Sequence, residues 1–261
     1  MLNDPTLVRL ETAASLALGW LTRIPVQMGR GTAGTSLGNA VWAFPLVGVV
    51  VAAAGATGFV VAHCLGAGAV IAAVVAVAAM AGLTGILHED GFGDFFDGLA
   101  ARGGRDGRLA AMRDSRLGAA GAVALILLVI ARVAALSEFG AADAIWVLLA
   151  ACATGRAAMG VVMLALPPAR PDGSGHAAGI PAPGTVGSAL AIAAVIAIPA
   201  MLFGPAGILD VVLVLLLAAA VVAWIARSAS RAFGGFTGDV LGACCIGAET
   251  AVLVALSMLP G

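Results

Sequence analysis

The 261-residue sequence contains no lysine and no tyrosine. Those absences exclude a P-loop lysine, a Schiff-base lysine and a tyrosine acid or nucleophile. Charge is scarce too: charged residues make up 10% of the chain, where soluble domains carry roughly 25%, and the formal net charge is -1. That balance points to no nucleic-acid partner and to no purely electrostatic membrane anchor. Cysteine is limited to Cys64, Cys152, Cys244 and Cys245, in or beside apolar runs, with no CxxC and no paired histidines. Neither a disulfide framework nor a zinc site is indicated, and the four read as small packing residues. Asp4 and Glu11 precede or open the first apolar stretch and no cationic region leads it, which argues against a cleaved signal peptide. Chemistry must therefore come from Asp, Glu, Arg, Ser, Thr or His.

Apolar residues are abundant, at 62% of the chain, with a mean hydropathy of +1.10. Runs of about 20 apolar residues can cross a hydrocarbon core of about 30 Å, and such runs fall at roughly 40–62, 68–87, 118–137, 144–166, 186–203, 207–226 and 240–259. The prediction is an all-α, polytopic transmembrane bundle of about seven spans, forming a single integral membrane domain over residues 1–261 with the lipid bilayer as its surroundings. Glycine and alanine within the runs allow helices to approach closely through small-residue faces. Asp4-Pro5 is a helix start, so residues 6–22 are expected to form an amphipathic or re-entrant helix that ends at Arg23-Ile24-Pro25.

If the spans alternate, Arg9, Arg23, Arg30, Arg102, Arg105, Arg108, Arg113, Arg116, Arg170, Arg227 and Arg231 share the N-terminal side, and the opposite loops carry no arginine. By the positive-inside rule that side is cytoplasmic, and the C-terminus lies outside. Three polar segments then face the cytoplasm, at about 88–117, 167–185 and 227–239.

The first segment begins His88-Glu89-Asp90-Gly91-Phe92-Gly93-Asp94-Phe95-Phe96-Asp97-Gly98. If the second span continues as a helix, Asp90, Asp94 and Asp97 share one face. Like charges so placed repel, and a divalent cation with oxygen ligands would compensate; Mg²⁺ held by carboxylates and substrate phosphates suits the composition. A solvated acidic loop is the alternative, though the adjoining phenylalanines and glycines favour packing. Further on, Arg113-Asp114-Ser115-Arg116 sets two guanidiniums around a carboxylate, an arrangement able to clamp phosphate while Asp114 binds metal or accepts a proton. Arginines at a helix end are also ordinary topology signals. In Gly234-Gly235-Phe236-Thr237-Gly238-Asp239, glycines and a helix N-terminus could admit a phosphate, with Asp239 as functional group or simple N-cap. Arg170-Pro171-Asp172-Gly173-Ser174-Gly175-His176 reads as a flexible loop over a site, with His176 an ordinary loop residue and His88 the histidine of interest.

These segments, in this order, resemble the cobalamin synthase family, the adenosylcobinamide-GDP ribazoletransferases. The matching elements are His88, Asp90-Gly91, Asp94 and Asp97-Gly98-Leu99, then Met112 to Gly118, then Gly234-Gly235, Thr237-Gly238-Asp239 and Leu241-Gly242. Weaker agreement extends to Leu21-Thr22-Arg23-Ile24-Pro25, Arg156 and Glu249, so the resemblance spans nearly the whole chain. Arg113 stands where the family commonly has lysine, which changes the hydrogen-bonding geometry there. Asp94-x-x-Asp97-Gly98-x-x-Ala101-Arg102 is also similar to the first half of the CDP-alcohol phosphotransferase motif, but the second half fails.

The resemblance implies transfer of the adenosylcobinamide phosphate group from adenosylcobinamide-GDP to α-ribazole or its 5′-phosphate, releasing GMP, in the cytoplasmic (inner) membrane. It implies Mg²⁺ on Glu89, Asp90, Asp94 and Asp97, and phosphate binding by Arg113, Arg116, Arg156, Thr237 and Gly238, with Asp114 or Asp239 taking the proton. A homo-oligomer is compatible with the sequence. The alternatives are a CDP-alcohol phosphotransferase-like enzyme and a small-solute transporter, the latter predicting ionisable residues spread through the membrane depth. Arg156 and Glu249 lie about 15 Å and about 14 Å below the same face at 1.5 Å per residue, so they are expected to pair. Arg132 is expected to snorkel outward toward Glu138 without a catalytic role.

Overall fold

In the computed structural model the described residues are 5–26 and 36–259; Asp4, named above as a helix start, and Arg30, counted above in the topology, lie outside them. In chain order the helices are α1 (Pro5–Leu21), the single turn α2 (Leu37–Ala40), α3 (Phe44–Cys64), α4 (Ala69–Thr84), α5 (Leu87–Ala100) and α6 (Gly104–Ala111). They continue with α7 (Ala119–Ser137), α8 (Ala141–Ala165), the short α9 (Ser174–Ala178), α10 (Pro183–Phe203), α11 (Ile208–Phe233) and α12 (Gly238–Ser257). Among the described residues there is no strand, only an isolated bridge between Pro168 and Phe236.

Six of these helices are long and apolar enough to cross a membrane unaided, the first running from α2 through α3. α4 gives the seventh of the expected spans only when it is counted together with α5 as one bent pair, because its own apolar run stops short. Gly85 ends it in a left-handed conformation (φ 68°), and Ile86 follows at φ 64°, the one non-glycine residue with positive φ among those described. Each carries a hydrogen bond back to α4, from Gly85 N–H to the Gly82 carbonyl and from Ile86 N–H to the Ala81 carbonyl, which closes the end of the helix. α5 then leaves at 89° to α4. The expected continuation of the second span into the acidic segment is therefore corrected: the segment is helical, but it forms a separate helix laid across the end of the bundle.

α8 and α12 form the centre, each buried along most of its length. α8 packs against α3, α10 and α12, while α12 also meets α5, α7 and α11. Small residues set the spacing. A Cβ on Gly155 of α8 would lie 2.6 Å from the Cys245 carbonyl oxygen of α12, so only glycine permits the two backbones to come this close. Alanines fill much of both core clusters, and large aliphatic residues are pushed outward on α7, α10 and α11. That inversion is what a lipid-facing surface requires. Cys152, Cys244 and Cys245 are buried packing residues as expected, all four cysteines are free, and Cys64 is exposed at the end of α3. The predicted N-terminal helix is present as α1, and the following segment reaches back to the α4–α5 break, where Arg23 N–H donates to the Leu83 carbonyl at 2.8 Å.

Candidate active site

α5 crosses the bundle end from the first turns of α12 to the first turn of α7. Gly91 makes the first contact possible, since a Cβ there would lie 2.9 Å from the Asp239 Cα. Asp97 makes the second: its two carboxylate oxygens accept from the Gly118 and Gly121 N–H groups, each at 2.8 Å. A carboxylate at the start of a helix satisfies unpaired donors and complements the helix dipole. Asp97 thus holds the N-terminus of α7, a role the sequence spacing did not reveal.

The remaining acids separate into two directions. Asp90 and Asp94 lie on the open side of α5, without hydrogen-bond partners among the described residues, and within electrostatic reach of Asp239. Partial burial first, and then the charges of Asp239, Asp90 and Asp97, push the Asp94 carboxyl up to about 7. Glu89 turns inward. Burial raises its carboxyl, while Arg132 acts in the opposite sense, and its Oε2 has no hydrogen-bond partner. Glu89 therefore does not share a face with Asp90 and Asp94 as the four-residue metal set requires.

Among the described residues no group of three or more carboxylate, histidine or cysteine side chains is arranged to hold a metal ion by itself. Mg²⁺ does not need such a cage: it retains several waters and binds through one or two carboxylates plus substrate phosphates. Asp90 and Asp94, unpartnered and crowded by like charge, fit that pattern; a closed structural zinc site does not.

Beside these acids lies a polar pocket of about 80 Å³, lined by Arg113, Arg170, His176, Thr237, Gly238 and Asp239 among others. Three interactions assemble it. Ala169 N–H donates to the Phe236 carbonyl and Phe236 N–H to the Pro167 carbonyl, at 2.8 and 2.9 Å, docking the 167–173 segment on the start of α12. Arg105 of α6 ties both strips together through the carbonyls of Phe233 and Ala169. Arg113 reaches the same segment through Asp172, Nη2 to Oδ2 at 3.0 Å. Thr237, not Asp239, is the N-cap of α12: its Oγ1 accepts from Val240 N–H at 3.3 Å and donates to Asp239 Oδ2 at 3.1 Å. The simple N-cap reading of Asp239 is thereby removed, and its carboxylate stands between the acids of α5 and the arginines.

Arg170, in the segment expected to be a flexible loop over a site, lines the pocket, although it is not among the expected phosphate-binding residues. Its Nε and Nη2 are shielded without a hydrogen-bond partner. Burial and then the neighbouring Arg113 charge lower its pKa, an excess of positive charge that a bound anion would relieve. His176 also lines this pocket. The available signal was position: Arg170 follows α8 directly, at the same bundle end as the acidic segment.

Arg116 and Asp114 are bound to each other. Asp114 Oδ1 accepts from the Arg116 backbone N–H and Nε, both at 3.0 Å, and Oδ2 from Nη2 at 2.7 Å. The Arg116 guanidinium pulls the Asp114 carboxyl down to about 2, which makes it a weak proton acceptor.

Deeper in the bundle the expected pair is present: Arg156 Nη1 donates to Glu249 Oε1. It is part of a triad, because Arg132 Nη1 meets Glu249 Oε2 at 3.1 Å. The outward snorkelling predicted for Arg132 is corrected: its side chain is buried beside Met80 of α4, since α7 turns this face toward α4 and α12 rather than toward lipid. Arg156 does not line the polar pocket. His88 lies above the triad, pushed down to about 3 by burial and then by Arg156, and so neutral.

A family model described as cobalamin-5-phosphate synthase matches residues 13–257. The chain belongs to the cobalamin-5-phosphate synthase family. It is 42% identical over 259 residues to the adenosylcobinamide-GDP ribazoletransferase of Sinorhizobium medicae, covering 95% of this chain and 96% of that protein. The Bradyrhizobium diazoefficiens protein of the same name is 38% identical over 232 residues, covering 87% and 86%. The Rhizobium meliloti one is 41% identical, covering 95% and 96%. No solved structure matches. The three sequence segments converge as anticipated; of the arginines, Arg113 and Arg170 line the polar pocket, while Arg116 is held by Asp114 and Arg156 by Glu249.

Proposed function

We propose that the protein transfers the adenosylcobinamide phosphate group from adenosylcobinamide-GDP to α-ribazole or its 5′-phosphate, as the names of its relatives describe, with the bundle end that carries α5 facing the cytoplasm. The single observation that carries the site assignment is the position of Asp239. It belongs both to the acidic face with Asp90 and Asp94 and to the pocket with Arg113 and Arg170, so metal-type and phosphate-type ligands lie side by side, as a pyrophosphate demands.

In this reading the pyrophosphate lies across Asp239, one phosphate directed to Arg170, Arg113 and the first turn of α12, the other to Asp90 and Asp94. Asp90 and Asp94 would hold Mg²⁺ together with the substrate's phosphates, and the ion would supply charge neutralisation of the pyrophosphate oxygens. A ribose hydroxyl of the acceptor other than the 5′-hydroxyl, which is esterified in the 5′-phosphate, attacks the phosphorus attached to cobinamide; a new P–O bond forms, the bond to the bridging oxygen breaks, and GMP leaves with that oxygen. Asp239 is favoured over Asp114 to receive the hydroxyl proton, because Arg116 already occupies both Asp114 oxygens. The buried triad fixes α12 from below and takes no proton.

The test is incubation of purified protein with adenosylcobinamide-GDP, α-ribazole and Mg²⁺. Equal release of GMP and completed corrinoid is expected; GMP release without corrinoid, or neither product where a relative is active, overturns the reading. For orientation, Asp106→Cys should be labelled only from the cytoplasm and Ala142→Cys only from outside.

A further inference from the structure

A cavity larger than the polar pocket lies outside the candidate active site. It is a groove of about 710 Å³ between α8, α10 and α11. Its floor is alanine-rich, formed by residues such as Ala157, Ala193, Ala218 and Ala223. Its sides include Leu190 and Ile198, which are exposed on the outer face of α10, so it opens sideways toward lipid rather than toward an aqueous face. Polar chemistry is almost confined to one end, where Arg227, Ser230 and Arg231 on the last turns of α11 line it.

We propose that this groove binds one anionic glycerophospholipid, with an acyl chain in the alanine trough and the phosphate on Arg227, Arg231 and Ser230. Charge argues for it: neither arginine has a hydrogen bond or ion pair among the described residues, and both are exposed at the same end. Dimensions agree. From Arg227 to Leu215 along α11 is about 18 Å at 1.5 Å per residue, close to the roughly 15 Å that one leaflet contributes to a hydrocarbon core of about 30 Å. The groove volume falls within the roughly 300–1,000 Å³ of ordinary ligand sites. The chemistry is selective as well, because a ligand with polar groups along its whole length would leave them unpaired on the alanine walls. A molecule with one anionic end and an apolar body matches. The role follows from the packing: α10 and α11 touch each other little, and a lipid between them would seal the flank of α8.

The experiment uses the full-length protein, exchanged into neutral detergent with phosphatidylglycerol or phosphatidylcholine and examined by native mass spectrometry. Wild-type protein should retain one phosphatidylglycerol in preference to phosphatidylcholine by roughly thirtyfold, about the combined effect of two cations near an anionic lipid. In the Arg227→Gln/Arg231→Gln variant the preference should vanish. Ala219→Trp, an exposed position lining the trough, should reduce retention of either lipid. All three positions are exposed, so monodisperse elution of each variant checks the fold. Equal retention of the two lipids by wild type, unchanged preference in the double arginine variant, or undiminished retention in Ala219→Trp would each overturn the proposal.

Discussion

Asp239 and Glu249 lie on the same helix, about 15 Å apart along its axis at 1.5 Å per residue, and have opposite environments. Glu249 is sealed between Arg132 and Arg156, with both oxygens bound by protein. Asp239 accepts one hydrogen bond from its neighbour Thr237 and otherwise faces unpartnered carboxylates on one side and a shielded, unpaired guanidinium on the other. Charge completed by the protein itself serves the fold. Charge left incomplete at the bundle end is available to a ligand, and that difference separates the structural from the chemical region here.

The sharpest break of the comparison is to remove one acid from each region. Asp94→Asn should lower transfer on the order of 100- to 1,000-fold, the scale of losing one group that stabilises developing charge, while leaving detergent stability unchanged or slightly raised, because like-charge crowding is relieved. Glu249→Leu should do the reverse first: unfolding in detergent should become easier by about 3–5 kcal/mol, since two buried guanidiniums lose their counter-ion. Normal turnover in Asp94→Asn, or normal stability in Glu249→Leu, would reverse the division.

A double-mutant cycle on Arg156→Leu and Glu249→Leu sharpens it. The expected outcome is a double variant more stable than Glu249→Leu alone, with a coupling of about 1–3 kcal/mol. Arg132→Leu should cost less than Glu249→Leu, because a balanced pair remains. Strictly additive losses would mean that the buried pair contributes no mutual stabilisation.

At the open end, Arg170→Gln should weaken binding of the nucleotide substrate roughly 10- to 100-fold, the worth of hydrogen bonds to a charged group, and act on KM more than does Arg116→Gln. Titration adds a smaller effect. With its pKa raised from an ordinary 3.8 to about 7, Asp94 lowers the stability of the metal-free protein as pH rises through that interval. Mg²⁺ binding near pH 6 should displace about one proton, and close to none well above pH 7; calorimetry in buffers of different ionisation enthalpy measures this. The smallest effect concerns the turn that aims α5. Ile86→Gly should stabilise the protein by about 0.5–1 kcal/mol, left-handed strain removed less the extra entropy of glycine, without loss of transfer.

Much of this was legible from residue order. Apolar run lengths gave the spans, the one-sided arginines gave the polar end, and matched depths gave the Arg156–Glu249 pair. Other features depend on contacts between distant segments. Asp97 looks like a member of the acidic stripe until α7 places its N-terminus on it, and Arg170 looks like a loop residue until Phe236 pins its segment beside Asp239. Arg132 shows the same limit, because depth along a helix does not specify which side of it faces lipid.

The sequence by itself determined that the protein is a helical membrane bundle with its reactive groups gathered at one end, because membrane crossing needs long apolar runs and a local excess of arginine is read without any contact. Only the tertiary structure decided which charges are neutralised inside the protein and which are left open. That outcome turns on helix rotation, the 89° turn before α5 and close approaches at glycine, and electrostatic pairing depends on distances of a few ångströms between residues far apart in the chain.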